Sequence, residues 1–223
     1  MKNRVSNKDK MEIILNNVIP VPLASIQHGV DSIWGKNTEL KAGQHILLNA
    51  SSGKGKSTFT MLVIGLRSDY QGLITFNGQE IKEFSPIDWT KIRQDKISVI
   101  YQDLQLFPSL SVAENLILKN DLTNLYSEKE MLQMLEKLEI EDKWNQKCGL
   151  LSMGQQQRVA IIRGLLQPFE WLIMDEPFSH LDIDNAKKCI EMIDSRCKEL
   201  SAGFVLTTLG DNHGYQYDQE LKL

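Results

Sequence analysis

The 223-residue sequence has little that would support a secreted or cysteine-stabilised protein. Its three cysteines, Cys148, Cys189 and Cys197, form no Cys-x-x-Cys pair, and their odd number is typical of reduced thiols in the cytosol. The opening segment, Met1 to Lys10, lacks the apolar run of a secretory signal. The sequence therefore predicts a cytoplasmic protein with neither a disulfide framework nor a cysteine-based metal site.

Long apolar runs are also missing. A membrane-spanning helix needs roughly 18 consecutive apolar residues, and no stretch of this sequence approaches that length. We therefore expect any role at a membrane to depend on a separate membrane protein.

An excess of positive charge is absent as well. The chain has 25 lysine and arginine residues against 29 aspartate and glutamate residues, a net charge of −4. A protein that neutralises nucleic-acid phosphates is usually basic, so we expect no nucleic-acid partner and an anion site that is built locally. With 42% hydrophobic and 24% charged residues, the composition is that of an ordinary globular domain and excludes a disordered or coiled-coil chain.

The order of apolar patterns predicts an α/β fold with a mostly parallel sheet, flanking helices and a helical insertion. Asn77-Gly78 predicts a tight hairpin turn, and Ser111 with Glu114, like Ser127 with Glu130, predicts a capped helix start. Short apolar runs predict strands at 12–18, 45–49, 73–76, 79–81, 96–100, 171–174 and 204–207. Helical patterns cover 56–65, most of 110–166, and 186–200.

A glycine-rich loop lies between the strand at 45–49 and the next helix. Gly53 and Gly55 let the backbone approach a polyphosphate, Lys56 reaches its terminal phosphates, and Ser57 can ligate Mg²⁺. The helix N-terminus adds positive potential. Ala50 stands at the first glycine position of the pattern, so we predict a negative φ there. The nucleotide-binding loop is Ala50, Ser51, Ser52, Gly53, Lys54, Gly55, Lys56, Ser57 and Thr58.

A second motif is more specific. Leu151-Ser152-Met153-Gly154-Gln155-Gln156-Gln157-Arg158 resembles the signature motif of ATP-binding cassette (ABC) ATPases, and Ser179-His180-Leu181-Asp182 follows the acidic strand end as in that family. The stretch 99–115 looks most like cassettes of the lipoprotein-releasing and macrolide-exporter type. The resemblance implies a P-loop NTPase core with an added antiparallel β subdomain. It implies one domain over 1–223, with the core at 1–102 and 168–223 and the helical subdomain at 103–167.

The resemblance also implies the roles of individual residues. Asp175 would hold Mg²⁺ together with Ser57 and Gln102, Glu176 would polarise the attacking water, and Gln102 would complete the metal or water shell. Ser152, Gly154 and Gln155 would contact the ATP bound by a second subunit, and Asp182 would lie in the loop between them. An acidic strand end that is merely solvated is the alternative interpretation of Asp175 and Glu176.

Besides Ala50, further features depart from the family pattern. Leu209 occupies the place of the histidine that contacts the γ-phosphate, and Met153 replaces the first signature glycine. His213 either swings toward the phosphate or is a surface-loop histidine. The stretch 19–23 has no aromatic ring to stack on adenine, and Trp34 is expected to be exposed rather than a stacking partner. GTP is therefore expected to compete with ATP.

The resemblance implies an ATP-binding and ATP-hydrolysing subunit that couples dimer closure to the work of an integral membrane permease. The expected partners are a second copy of the cassette and the permease, which would dock at 104–118, so the chain would lie on the inner face of the cell membrane. Leu209 and Met153 favour an alternative, a nucleotide-gated scaffold with little turnover. A soluble cassette of DNA repair or translation would need a basic face or a long coiled coil, and the sequence has neither.

Overall fold

The computed structural model describes residues 10–223. Its strands are β1 (Ile13–Pro20), β2 (Asn37–Leu40), β3 (His45–Asn49), β4 (Tyr70–Phe76), β5 (Gln79–Glu80), β6 (Ile97–Ile100), β7 (Trp171–Asp175), β8 (Gly203–Thr208) and β9 (Gln219–Lys222). Its α-helices are α1 (Lys56–Val63), α2 (Pro86–Asp95), α3 (Val112–Asn120), α4 (Glu128–Lys137), α5 (Met153–Leu165) and α6 (Ile183–Leu200). These elements confirm the predicted α/β fold.

A five-stranded parallel sheet in the order β6-β7-β8-β3-β9 forms the centre. Every residue of β7 and β8 is buried, which is why 171–174 and 204–206 are continuous apolar runs rather than alternating ones. Leu172 and Met174 face one hydrophobic core, and Trp171 and Ile173 face the other. The carboxyl ends of these strands meet at one edge of the sheet, where the acidic residues and the phosphate loop are found.

An antiparallel sheet in the order β2-β1-β4-β5 covers the second core. The hairpin between β4 and β5 turns at Asn77 (φ 48°) and Gly78 (φ 82°), the two positive φ angles of a type I′ turn, so the predicted hairpin is confirmed. In β1 the pairing register shifts between Asn16 and Ile19. A Cβ at Gly72 would lie 2.4 Å from the Asn17 carbonyl oxygen, so this strand crossing requires glycine.

Helices α3, α4 and α5 lie between β6 and β7 in the chain. Ser111 with Glu114 and Ser127 with Glu130 form capping boxes at the starts of α3 and α4, as predicted. Helix α5 packs directly on β6. A Cβ at Gly164 would lie 2.8 Å from Cγ1 of Ile100, so only glycine permits this approach.

Candidate active site

The phosphate loop connects β3 to α1 and contains two glycines that no other residue would replace without strain. Gly53 and Gly55 have φ angles of 77° and 104°. A Cβ at Gly55 would also lie 2.5 Å from Cδ1 of Leu23. Because Gly55 caps the start of α1, the first backbone N–H groups of the helix face the space in front of the loop.

Ala50 confirms the prediction of a negative φ, since it is not among the residues of positive φ. Its N–H donates to the Thr208 carbonyl oxygen at 3.1 Å, and the residue is buried. Ala50 therefore continues the hydrogen bonding of β3 one residue past the end of the strand, and its small side chain is tolerated there.

The Lys56 ammonium is buried at the mouth of this loop. It donates to the Ala50 carbonyl oxygen at 2.9 Å and lies 3.2 Å from Oε1 of Glu176. The cation is therefore placed in advance, facing one carboxylate and its own loop. An anion that enters the loop meets a desolvated positive charge.

The acidic strand end is organised by Thr207, which the sequence analysis treated only as part of a strand. Thr207 is the sheet partner of Asp175. Its hydroxyl donates to Oδ1 of Asp175 at 2.8 Å and accepts the N–H of Glu176 at 3.2 Å. Glu176 has a φ of 48°, a region that non-glycine residues rarely adopt. One buried hydroxyl thus fixes the orientation of both acidic residues.

The segment after β8 places Leu209, not an imidazole, beside the acidic residues. The Thr208 hydroxyl accepts the N–H groups of Gly210 and Asp211 and so closes a tight turn. This turn leaves Leu209 63% exposed, and Leu209 and Glu176 line the same hollow of about 300 Å³. An apolar side chain there can neither donate to a phosphate nor relay a proton.

His213 lies in the loop after β8 and lines the same hollow as Glu176 and Leu209. Its ring lies edge-on against Phe178, with ring centroids 4.9 Å apart, and its side chain is 16% exposed. Burial lowers the pKa of His213 below its usual value, so the neutral imidazole is favoured. His213 is therefore a loop histidine, as one of the two interpretations expected, and its ring packs against the segment that follows Glu176.

The signature motif begins helix α5. The Ser152 hydroxyl accepts the N–H of Gln155 at 3.3 Å, and Oε1 of Gln155 accepts the N–H of Ser152 at 3.0 Å. Ser152 and Gln155 therefore stabilise the start of the helix through this capping box, whatever else they contact. A Cβ at Gly154 would lie 2.9 Å from the His180 carbonyl oxygen, whereas Met153 is 46% exposed. The second glycine is thus sterically required and the first is not.

Gln157 links the signature helix to the segment after the acidic strand end, a role that the sequence analysis did not predict. Its Oε1 accepts the N–H of His180 at 3.0 Å, and its Nε2 donates to the Ser179 hydroxyl at 2.9 Å. Asp182, a few residues on, caps helix α6 through the N–H of Asn185 at 2.8 Å. That hydrogen bond holds the pKa of the Asp182 carboxyl below its usual value.

Gln102 follows β6 and is exposed. Since Ile100 pairs with Met174 in the parallel sheet, Gln102 emerges at the same sheet edge as Asp175. The structure therefore brings the phosphate loop, the glutamine and the acidic pair to one end of the sheet.

Trp34 contradicts the expectation of an exposed ring. It is only 4% exposed, and its Nε1 donates to the Lys54 carbonyl oxygen at 3.2 Å. The indole packs beneath the phosphate loop, so it supports the loop and does not offer a free face to a base. Val21, in the stretch 19–23, is exposed instead.

Comparison with known proteins decides the family. The family model described as ABC transporter matches residues 35–179, more than half of the chain. The chain belongs to the ABC transporter family. The ATP-binding protein HrtA of Staphylococcus aureus (strain bovine RF122 / ET3-1), whose name links it to hemin import, is 35% identical over 170 residues, 74% of this chain and 76% of HrtA. The HrtA sequence of S. aureus strain Newman matches equally well.

Solved structures agree with this assignment. The dimeric bacterial ABC transporter cassette MJ0796 is 27% identical, with a TM-score of 0.79 over 94% of both chains. The same cassette in a post-hydrolysis state with ADP and Pi has a TM-score of 0.75 over 94% of this chain and 96% of that chain. The chain is thus a P-loop ABC cassette of a family that binds ATP and works in dimers with membrane permeases. In residues 10–223, no helix combines the length and apolarity needed to cross a membrane.

Proposed function

We propose that this cassette binds ATP with Mg²⁺ at the phosphate loop, hydrolyses it within a homodimer and so drives a separate membrane permease. The observation that carries the proposal is the 3.2 Å ion pair between Lys56 and Glu176, beside the buried carboxylate of Asp175. Phosphoryl transfer requires a cation that binds phosphate, a base that accepts the water proton and a carboxylate that binds the metal ion. Lys56, Glu176 and Asp175 would supply these groups.

The ion pair suggests how ATP activates the base. A γ-phosphate carries more negative charge than a carboxylate, so it competes with Glu176 for the Lys56 ammonium. Once Lys56 turns to the phosphate, the Glu176 carboxylate is free to accept a proton from the attacking water. The base is then available only when nucleotide is bound.

The residues present fit Mg²⁺, which prefers hard oxygen ligands. The Ser57 hydroxyl, the Asp175 carboxylate and the Gln102 amide oxygen supply them, and Thr207 holds Asp175 through Oδ1 so that Oδ2 remains as an acceptor. When bound, Mg²⁺ would neutralise charge on the β- and γ-phosphates.

The signature residues would act across the dimer. Ser152, Gly154 and Gln155 stand at the N-terminus of α5, where a helix end favours an anion, and would contact the γ-phosphate held by the second copy. Asp182 would lie between the two sites. The isolated monomer is therefore expected to hydrolyse ATP poorly.

A groove of about 310 Å³ is the proposed docking place for the permease. Phe107, Leu118 and Leu122 line it and are each half exposed or more, which is unusual for large apolar side chains. An amphipathic helix on the cytoplasmic side of the permease would cover them, which would place the cassette on the inner face of the membrane. We propose that 103–167, which carries much of this groove, is the helical subdomain.

We expect the site to discriminate only weakly between adenine and guanine, because the part of the chain that would contact the base lacks an accessible aromatic ring. The stretch 19–23 has no aromatic ring and Trp34 is buried, so neither offers a face on which a purine could stack. GTP is expected to compete with ATP.

Leu209 supports a second candidate function, a cassette that closes on ATP with little turnover. Its side chain occupies the place where the family has a polar contact to phosphate. The intact Glu176 and its Lys56 partner oppose this candidate.

Glu176→Gln decides between the two, with Glu136→Gln on the exposed face of α4 as the matched control. Measured at protein concentrations that allow dimer formation, ATP turnover of Glu176→Gln should fall by about 10²-fold or more, because the amide cannot accept the water proton. The control should keep the wild-type rate, and Glu176→Gln should accumulate as an ATP-bound dimer. If the wild type, Glu176→Gln and Glu136→Gln all hydrolyse ATP at equal rates near background, the proposed ATPase function is wrong and the cassette that closes on ATP with little turnover is favoured.

A further inference from the structure

The loop that follows Gln102 holds two consecutive residues in an uncommon backbone conformation. Leu104 has a φ of 61° and Gln105 a φ of 50°, and neither is glycine. The Gln105 N–H donates to the Asp103 carbonyl oxygen at 2.7 Å, which closes a three-residue turn around Leu104. A positive φ at the centre of such a turn is the rare, strained form. Strain of this kind persists only where the surroundings impose it.

Arg163 supplies that constraint. Its Nη1 donates to the Gln105 carbonyl oxygen at 2.7 Å and its Nη2 to the Leu104 carbonyl oxygen at 3.0 Å. The two planar N–H groups of one guanidinium therefore hold the carbonyls of both strained residues. A lysine cannot reproduce this paired contact, because its ammonium is a single point of charge.

The position of Arg163 is fixed because helix α5 packs directly against β6 at the neighbouring residue, Gly164. The Ser98 hydroxyl donates to the Gly164 carbonyl oxygen at 2.6 Å, and Ile100 packs against the bare Cα of Gly164. The strand that leads into Gln102 and the helix that carries Arg163 thus form one unit. Ser152 is the N-cap of the same helix, so the signature motif and Arg163 are carried by one helix.

The C-terminal end of this loop, at Phe107, is held by a different side chain, that of Asn115. The Phe107 N–H donates to Oδ1 of Asn115 at 2.9 Å, and Nδ2 of Asn115 donates back to the Phe107 carbonyl oxygen at 3.0 Å. Phe107, Asn115 and Arg163 all line the groove described above. Arg163 therefore both lines the groove and holds the two strained residues.

We propose that Arg163 is a positioning residue that fixes the Leu104-Gln105 turn and so keeps Gln102 at the nucleotide. This inference rests on the proposed ATPase function for its catalytic consequence only. The holding of the loop by Arg163 is independent of any reaction.

The test compares Arg163→Lys with Arg93→Lys. Arg93 is a matched control because it is half buried and lines the same groove, but it donates to a carbonyl outside this loop, that of Ile64. Amide hydrogen exchange of the peptide covering 102–107 should be faster in Arg163→Lys and unchanged in Arg93→Lys. The kcat for ATP should fall by about tenfold or more in Arg163→Lys, as expected when a catalytic group is misplaced. The KM for ATP should change little, because the phosphate loop is untouched.

A second variant separates positioning from a general loss of structure. Asparagine tolerates the left-handed conformation better than glutamine does, so Gln105→Asn in the Arg163→Lys background should restore part of both the exchange protection and kcat. Unchanged exchange in Arg163→Lys, or a uniform increase throughout α5, would overturn the proposal. If Arg163→Lys speeds amide exchange at 102–107 as expected but the wild-type protein does not hydrolyse ATP, the proposed ATPase function is wrong. The proposal that Arg163 holds the Leu104-Gln105 turn is then retained.

Discussion

The Thr207 hydroxyl offers a sharp test of how the two acidic residues are held. It is completely buried, donates to the Asp175 carboxylate and accepts the Glu176 N–H. Thr207→Val keeps the shape of the side chain and removes both hydrogen bonds. The carboxylate then loses a donor and the amide loses its acceptor, each in a position that water reaches poorly.

The expected cost follows from those two losses. An unsatisfied buried polar group costs about 1–3 kcal/mol, so the loss of both hydrogen bonds in Thr207→Val should lower the free energy of unfolding by about 2–6 kcal/mol. For a chain of this size each kcal/mol corresponds to roughly 2–4 °C, so the unfolding midpoint should fall by about 4–24 °C. Thr207→Ser keeps the hydroxyl and loses one methyl group, at a cost of about 1 kcal/mol.

Urea unfolding and differential scanning calorimetry of the two variants measure this difference, and ATP turnover measures its effect on the site. Thr207→Val should be clearly less stable than Thr207→Ser and should hydrolyse ATP more slowly, since Glu176 loses its anchor. If both variants have the same stability, the hydroxyl does not hold the acidic pair and this account of the strand end is wrong.

Two further predictions concern Leu209 and the half-buried histidines His45 and His213. Leu209→His should raise ATP turnover by about tenfold or more, because it restores a donor to developing phosphate charge, whereas Leu209→Ala should not. Burial lowers the pKa of His45, stacked on Phe204, and of His213 below their usual value near 6.5. The unfolded chain then binds more protons, so stability should fall as the pH drops from 7.5 to 5.5, and less so in a His45→Gln, His213→Gln double variant. Turnover that is unchanged by Leu209→His, or an equal pH dependence in the double variant, would contradict these expectations.

Motifs whose parts lie close together in the chain could be predicted from the sequence. The capping boxes at Ser111 and Ser127 and the hairpin at Asn77-Gly78 depend on interactions between residues at most three positions apart. The buried strands of the parallel sheet could be predicted because burial on both faces requires uninterrupted apolar runs. Helix α2 was not predicted, because its alternation of polar and apolar residues is weak and only its Ser85 cap is distinctive.

The candidate site was predicted in part for the same reason. The order of the phosphate loop, signature and acidic strand end was visible in the sequence, and so was the absence of an imidazole at Leu209. The roles assigned to these residues remain predictions. Trp34 was misjudged, because its burial depends on packing beneath a loop some twenty residues away rather than on its own neighbours.

The sequence by itself determined the local helix caps, the glycine positions of the phosphate loop and the buried strands, because short-range sterics and burial impose these on every copy of such a pattern. Only the tertiary structure decided that Thr207 orients Asp175, that Lys56 faces Glu176 and that Arg163 holds the loop after Gln102. Each of those contacts joins residues that are distant in the chain, and their distances follow from how helices and strands pack, which no local pattern records.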